Sequence, residues 1–247
     1  MLSTMQDVDL SIGTLLRHGS TIHGSAEVVT MTDRGTRRRS YADVGRRCAA
    51  LAHALRGLGI DADQRVATFM WNNAEHLEAY LAVPSMGAVL HTLNIRLFPE
   101  QLIHVVNHAE DRVIIVDPSL IDLLEPHMPQ MPTVEHIVVT GDGTATITAG
   151  DKVQVHAYED LLARESDSFD WPDINERSAA AMCYTSGTTG IRKASPTRIA
   201  PSTSTRWRPA CPSRSTSPRV TGCSRWSRSS TRWPGGCPTR PSWSVHR

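Results

Sequence analysis

From Asp9 to Gly190 the apolar positions alternate between helical spacing and short unbroken runs. Ser40 and Asp43 stand at capping-box spacing, and Val44, Cys48, Leu51, Ala52, Leu55 and Leu58 then recur every three or four residues until Gly59, which predicts an amphipathic helix with a start and a stop. Residues 66–70 predict a short apolar strand, 74–87 a second helix and 88–90 another brief strand. Pro99 opens a third helix, with Leu102, Val105, Val106 and Ala109 along one face. Residues 113–116 are wholly apolar, as a strand buried on both faces must be, and the run ends at Asp117. Runs at 137–139 and 179–184 continue the series. Strands alternating with helices at this spacing predict an α/β fold, a mostly parallel sheet with helices on both faces. The Gly- and Thr-rich residues 140–151 are expected to form a surface loop, and no internal repeat is evident.

A chain of 247 residues with 40% hydrophobic content can bury a sizeable core. Residues 1–10 carry Asp7 and Asp9 and no apolar run, and no stretch has the length of a membrane span, so a cytoplasmic protein without a transmembrane segment is expected. The cysteines Cys48, Cys183, Cys211, Cys223 and Cys237 have no metal-site spacing and are odd in number, which argues for free thiols.

The net charge of +1 conceals a division at Gly190. Residues 1–190 hold 14 Lys plus Arg against 25 acids, whereas 191–247 hold 12 basic residues and no acid. The later segment also has 12 Ser, 11 Arg, 8 Pro and 7 Thr, and no Leu, Phe, Tyr or Met from which a core could be built. Its tryptophans, Trp207, Trp226, Trp233 and Trp243, follow neither a helical nor a strand period. The expectation is a disordered tail from 191 to 247 behind a folded portion from 1 to 190.

The residues that carry chemistry are Tyr184-Thr185-Ser186-Gly187-Thr188-Thr189-Gly190, placed directly after a predicted strand. Glycines let main-chain N–H groups approach a polyphosphate, hydroxyls add donors, and a lysine such as Lys193 would neutralise charge. The spacing is not that of a Walker loop. A Ser/Thr/Gly run is ordinarily only a flexible turn, but this whole heptapeptide resembles the phosphate loop of the adenylate-forming superfamily, commonly Y-T-S-G-T-T-G-x-P-K-G. Three further segments resemble its medium- and long-chain fatty acyl-CoA synthetase branch: Trp71-Asn72-Asn73, His91-Thr92-Leu93-Asn94-Ile95-Arg96-Leu97 and Asn107-His108-Ala109-Glu110-Asp111. The resemblance spans roughly residues 9–190 and implies the N-terminal part of the AMP-binding domain. It also implies a reaction in which a fatty acid and ATP form an acyl-adenylate and pyrophosphate, and coenzyme A then takes the acyl group, with Mg²⁺ in attendance. Carried over by residue, Thr185, Ser186, Gly187, Thr188, Thr189, Gly190 and, by count, Lys193 would bind the ATP phosphates. Ile191, Arg192 and Ala194 depart from the pattern. His91 and His108 read as packing or surface groups rather than catalysts, and Trp71 as a core residue.

The tail has an explanation in the same terms. With Arg written as CGN and Ser as TCN, codons taken one base earlier permit N-P-K-G-V-T-Y-S-H-R-S over positions 191–201, which continues the family's loop. Positions 224–239 likewise permit a stretch similar to that branch. A shift of reading frame near Gly190 accounts for the break, and it implies a truncated synthetase without the later catalytic elements, inactive by itself. The rival reading is a non-enzymatic module whose Arg- and Trp-bearing tail contacts nucleic acid. The shifted-frame match favours the synthetase, and no specific nucleic-acid partner is expected.

Overall fold

The computed structural model describes residues 9–32, 35–141, 147–150, 152–185 and 193–198, with Thr185 and 193–198 as backbone alone. The chain divides into two units, Met1–Arg208 and Pro209–Arg247, and the second lies outside the described residues.

The first unit is built on a seven-stranded sheet. In chain order the strands and helices are α1 (Ile12–Ile22), β1 (Glu27–Thr32), β2 (Gly35–Ser40), α2 (Tyr41–Gly57), β3 (Arg65–Phe69), α3 (Ala74–Ser85), β4 (Val89–Thr92), α4 (Pro99–Ala109), β5 (Val113–Val116), α5 (Ile121–Leu124), β6 (His136–Val139), β7 (Gln154–Ala157), α6 (Tyr158–Ala163), β8 (Ala179–Thr185) and β9 (Lys193–Arg198). The sheet runs β7-β6-β5-β3-β4-β8-β9, parallel throughout except for the antiparallel β8–β9 pair. A separate antiparallel hairpin is made by β1 and β2.

Two apolar cores lie on opposite faces, as the unbroken strand β5 requires. Val113 and Ile115 join Val66, Val138 and the apolar sides of α1, α2, α3 and α6. Ile114 and Val116 join Phe69, Ile137, Val139 and residues of α4 and α5. Alternate side chains of a strand point to opposite faces, so a strand covered on both sides is apolar at every position. Helix α2 starts as its spacing predicts: the Ser40 hydroxyl accepts from the Asp43 amide at 3.1 Å and donates to the Asp43 carboxylate at 2.6 Å. Helix α1 crosses α2 closely at Gly45, where a Cβ would lie 2.5 Å from the Ser20 Cβ.

The predicted helices and strands match observed elements within a few residues, but α1, the β1–β2 hairpin, α5, β7 and α6 had no predicted counterpart. Glycines at positions 13 and 19 blur the α1 pattern. In β2 the inward positions are Arg37 and Arg39, which face acids rather than an apolar core. Residues 142–146 of the predicted loop lie outside the described residues, and 147–150 are irregular. Strand β9 falls within the segment expected to be disordered. Ladder bonds are made by the backbone, so they ask little of side-chain composition, and Pro196 is tolerable because β9 is the sheet's edge. The rest of the expected tail is outside the described residues. Cys48 and Cys183 are free thiols, as predicted; the other three cysteines are not described. Among the described residues no helix is long and apolar enough to cross a membrane.

Candidate functional site

The strand order reverses at β3. From it the chain steps to β4 on one side and to β5 on the other. In open parallel sheets such a switch point leaves a crevice outside the carboxyl ends of the strands, where ligands bind. The carboxyl ends here are Phe69 of β3, Thr92 of β4, Val116 of β5 and Thr185 of β8. Thr185 is paired with Lys193, the first residue of β9, so the phosphate-loop motif begins and ends at this edge of the sheet. Ser186, Gly187, Thr188, Thr189 and Gly190 lie between them and outside the described residues.

The segments that lead away from the same edge are held by short polar contacts. Asn73 caps α3 by accepting from the His76 amide at 2.9 Å, and its own amide donates to Asp117 at 3.4 Å. The His76 ring reaches the Trp71 carbonyl with Nδ1 at 3.1 Å and the Thr68 hydroxyl with Nε2 at 3.0 Å. A carbonyl can only accept, so Nδ1 donates, and burial holds the ring below its ordinary pKa and therefore neutral. Nε2 then accepts from Thr68. Trp71 is 51% exposed, contrary to the core position expected for it, because its indole N–H turns out to donate to Ser119 at 3.0 Å. Tryptophan gains from keeping its N–H where a partner can be reached.

Beneath β8 lies a second polar group. His91, in the middle of β4, is 1% exposed, and its Nδ1 is 2.7 Å from a carboxylate oxygen of fully buried Asp111. Helix α4 makes this possible by ending at Glu110 in the left-handed conformation (φ 53°), which turns the next residue inward while Arg65 binds the Glu110 carboxylate at 2.6 Å. The His91 ring packs on Tyr184, whose hydroxyl lies 2.5 Å from Nδ1 of exposed His108. His91 is thus a packing group and His108 a surface group, as expected. What sequence reasoning missed is that Asp111 pairs with His91 and that Tyr184 lies against both His91 and His108. Each residue sits in a segment that resembles the family, but nothing in their spacing says that they meet.

The backbones of Thr185 and Lys193 meet at the crevice, and the residues between them, whose main-chain donors and small hydroxyls would suit a polyphosphate, lie outside the described residues. Among the described residues no group of three or more His, Cys, Asp or Glu side chains could hold a metal ion, and the resemblance implies Mg²⁺. Ions of that kind commonly arrive with the substrate phosphates and keep most of their water.

A mostly parallel sheet with helices on both faces and a switch-point crevice at its carboxyl edge defines the class of the molecule, an open α/β fold. Residues 20–205 match the AMP-binding enzyme family, and the chain belongs to it. The match continues past Gly190 in the chain's own reading frame. Curated relatives include the medium-chain-fatty-acid–CoA ligase of Ectopseudomonas oleovorans, 40% identical over 78% of this chain and 35% of that protein. The long-chain-fatty-acid–CoA ligase of Thermus thermophilus is 41% identical over 77% of this chain and 34% of that protein. The 3-methylmercaptopropionyl-CoA ligase of Ruegeria pomeroyi is 39% identical, with 78% and 36% covered. The chain therefore spans about a third of the length of these relatives, and it corresponds to their N-terminal part. Among solved structures, an anthranilate CoA ligase in complex with anthranoyl-AMP aligns with a TM-score of 0.71 at 21% identity, over 84% of this chain and 38% of that one. The adenylation domain of a carboxylate reductase from Mycobacterium chelonae aligns with a TM-score of 0.65 at 18% identity, over 77% and 34%. Both establish the adenylate-forming fold, of which this chain holds a part.

Proposed function

We propose that the chain is the nucleotide-binding front part of a cytoplasmic AMP-forming ligase for medium- or long-chain fatty acids, and that it is catalytically inactive alone. The observation that carries the reading is the identity of about two residues in five to the two fatty-acid–CoA ligases. In this reading the amides and hydroxyls of Thr185, Ser186, Gly187, Thr188, Thr189 and Gly190, with the Lys193 ammonium, hold the ATP phosphates. Mg²⁺ enters with ATP. The fatty carboxylate attacks the α-phosphorus, pyrophosphate leaves, and the thiol of coenzyme A then displaces AMP from the acyl-adenylate. Adenylation needs the triphosphate in line with a bound carboxylate, and such positioning and charge stabilisation supply much of the acceleration. The triphosphate anchor of this reading runs through residues 186–190, and the later catalytic elements of the family follow it in sequence.

The composition break supports a shift of reading frame near Gly190, which the nucleotide sequence across codons 185–200 tests directly. The nucleic-acid module gains no support from the family match. Pyrophosphate exchange into ATP is the functional test. The 247-residue chain is expected to show none with fatty acids of any length, and a gene restored to frame with its downstream half is expected to make fatty acyl-CoA. Robust exchange by the short chain would sink the inactivity. A restored enzyme active only on carboxylates such as 3-methylmercaptopropionate would sink the choice of fatty acids.

A further inference from the structure

Tyr184 is the last residue before the phosphate-loop hydroxyls, and it is held from two sides. Its ring centroid lies 5.2 Å from that of His91, and it meets His108 edge-on at 5.7 Å with the hydroxyl 2.5 Å from Nδ1. His91 cannot swing away, because Asp111 binds its Nδ1 at 2.7 Å inside the sheet. Strand β4 carries His91 next to β8, with His91 and Met182 as register partners, so the ring is fixed to the strand that bears the motif.

Asp111 makes this arrangement costly. The carboxylate is fully buried, and its Oδ1 has no hydrogen-bond partner among the described residues. A buried acceptor left unmade costs stability, and apolar replacements of buried ionisable pairs are often neutral or stabilising. Packing alone therefore gives no reason for an acid at this position. Aiming the imidazole does, since a ring with one nitrogen tied to a fixed oxygen loses its freedom to rotate.

We propose that the His91–Asp111 pair and His108 form a positioning clamp on Tyr184, which sets the direction in which β8 leaves the sheet and so pre-orders the chain for nucleotide phosphate. The clamp touches no substrate; it acts through Tyr184. Its link to nucleotide rests on the function proposed above, so the test reads the two separately.

Hydrogen exchange of the β8 amides in the full 247-residue chain reports the clamp without any ligand. Replacing Asp111→Ala is expected to speed exchange across Ala179–Thr185 about tenfold while β6 and α2 amides keep their rates, and Asp111→Asn, which can still bond His91, is expected to restore slow exchange. His108→Ala removes only a surface partner and cannot plausibly unfold the core; it is expected to loosen the same amides by a smaller factor. Unchanged β8 exchange in both Asp111→Ala and His108→Ala overturns the clamp. So does a rise spread equally over β6 and α2, since that is loss of the fold. Calorimetric titration with MgATP is the second readout, with affinity about tenfold lower in Asp111→Ala and near wild type in Asp111→Asn. If the wild-type chain binds no MgATP while the exchange pattern appears, the clamp stands and the nucleotide-binding reading fails. If MgATP binds wild type and Asp111→Ala equally, the proposed pre-ordering is overturned.

Discussion

Two fully buried carboxylates sit on opposite sides of the central sheet and are treated in opposite ways. Glu78 of α3 has every oxygen engaged: Oε1 accepts from Arg39 and from Arg47 Nε at 2.8 Å, and Oε2 accepts from the Tyr158 hydroxyl at 2.7 Å. Arg47 continues to Glu159 through two bonds of 2.8 and 2.7 Å, and Glu75 binds Arg37 at 2.6 Å. This network ties the β1–β2 hairpin, α2, α3 and α6 into one body. Asp111 has one histidine and an orphaned oxygen. The difference teaches where the molecule is built for stability and where it accepts strain. The satisfied acid joins the elements packed on one face of the sheet; the unsatisfied one pairs with a histidine of β4 that packs on Tyr184 of β8.

The comparison breaks most visibly at Glu78. Replacing Glu78→Ala strands two guanidinium groups and a phenol, and chemical unfolding is expected to register a loss of about 3–5 kcal/mol. A loss under about 1 kcal/mol would mean that the network is solvated and carries little. A gentler probe is Tyr158→Phe, which removes one bond to a charged acceptor and should cost about 1.5–3 kcal/mol in the same assay. Burial, with Glu78 adding to it, pushes the Tyr158 phenol well above its ordinary pKa, so the hydroxyl stays a donor at any working pH.

Asp111 is expected to behave otherwise. Burial pushes its carboxyl above the usual range, with His91 and Arg65 pulling the other way, and burial, with Asp111 adding to it, in turn raises the nearby Tyr184 phenol. A raised folded-state value means that the folded chain binds more protons than the unfolded one. The contribution is present below the unfolded pKa, about 4, and is lost as pH rises through the folded value. Asp111→Asn has no proton to lose. Its stability relative to wild type should therefore climb as pH rises above about 4, by at most about 1.4 kcal/mol per pH unit. Asp43 and Glu135, whose carboxyls are lowered by Ser40 and Arg112 respectively, give the opposite slope in both proteins and cancel in the difference. A flat difference between pH 4 and 8 would place Asp111 with Glu78, as a settled structural acid.

Much of this fold is legible in one dimension because its cause is local. Residues 113–116 are apolar at every position because both faces of β5 are covered, and Ser40 to Gly59 holds a cap, a period and a stop within one segment. The heptapeptide at Tyr184 and its resemblance to a family likewise need only neighbouring letters. The β1–β2 hairpin escaped notice because its inward arginines become sensible only once Glu75 and Glu78 are beside them. The division drawn at Gly190 came from composition, and the pairing of β8 with β9 spans it because backbone pairing does not depend on composition.

By itself, then, the sequence determined the alternation of helices and strands, a Ser/Thr/Gly motif at the end of an apolar strand, and the family, since each is written in periods and neighbours. Tertiary structure alone decided that His91 and Asp111 meet, that Tyr184 lies between two histidines, and that Thr185 stands opposite Lys193. Those contacts depend on strand order and on the left-handed turn at Glu110, and a parallel sheet can place its strands in many orders without changing the pattern of any one of them.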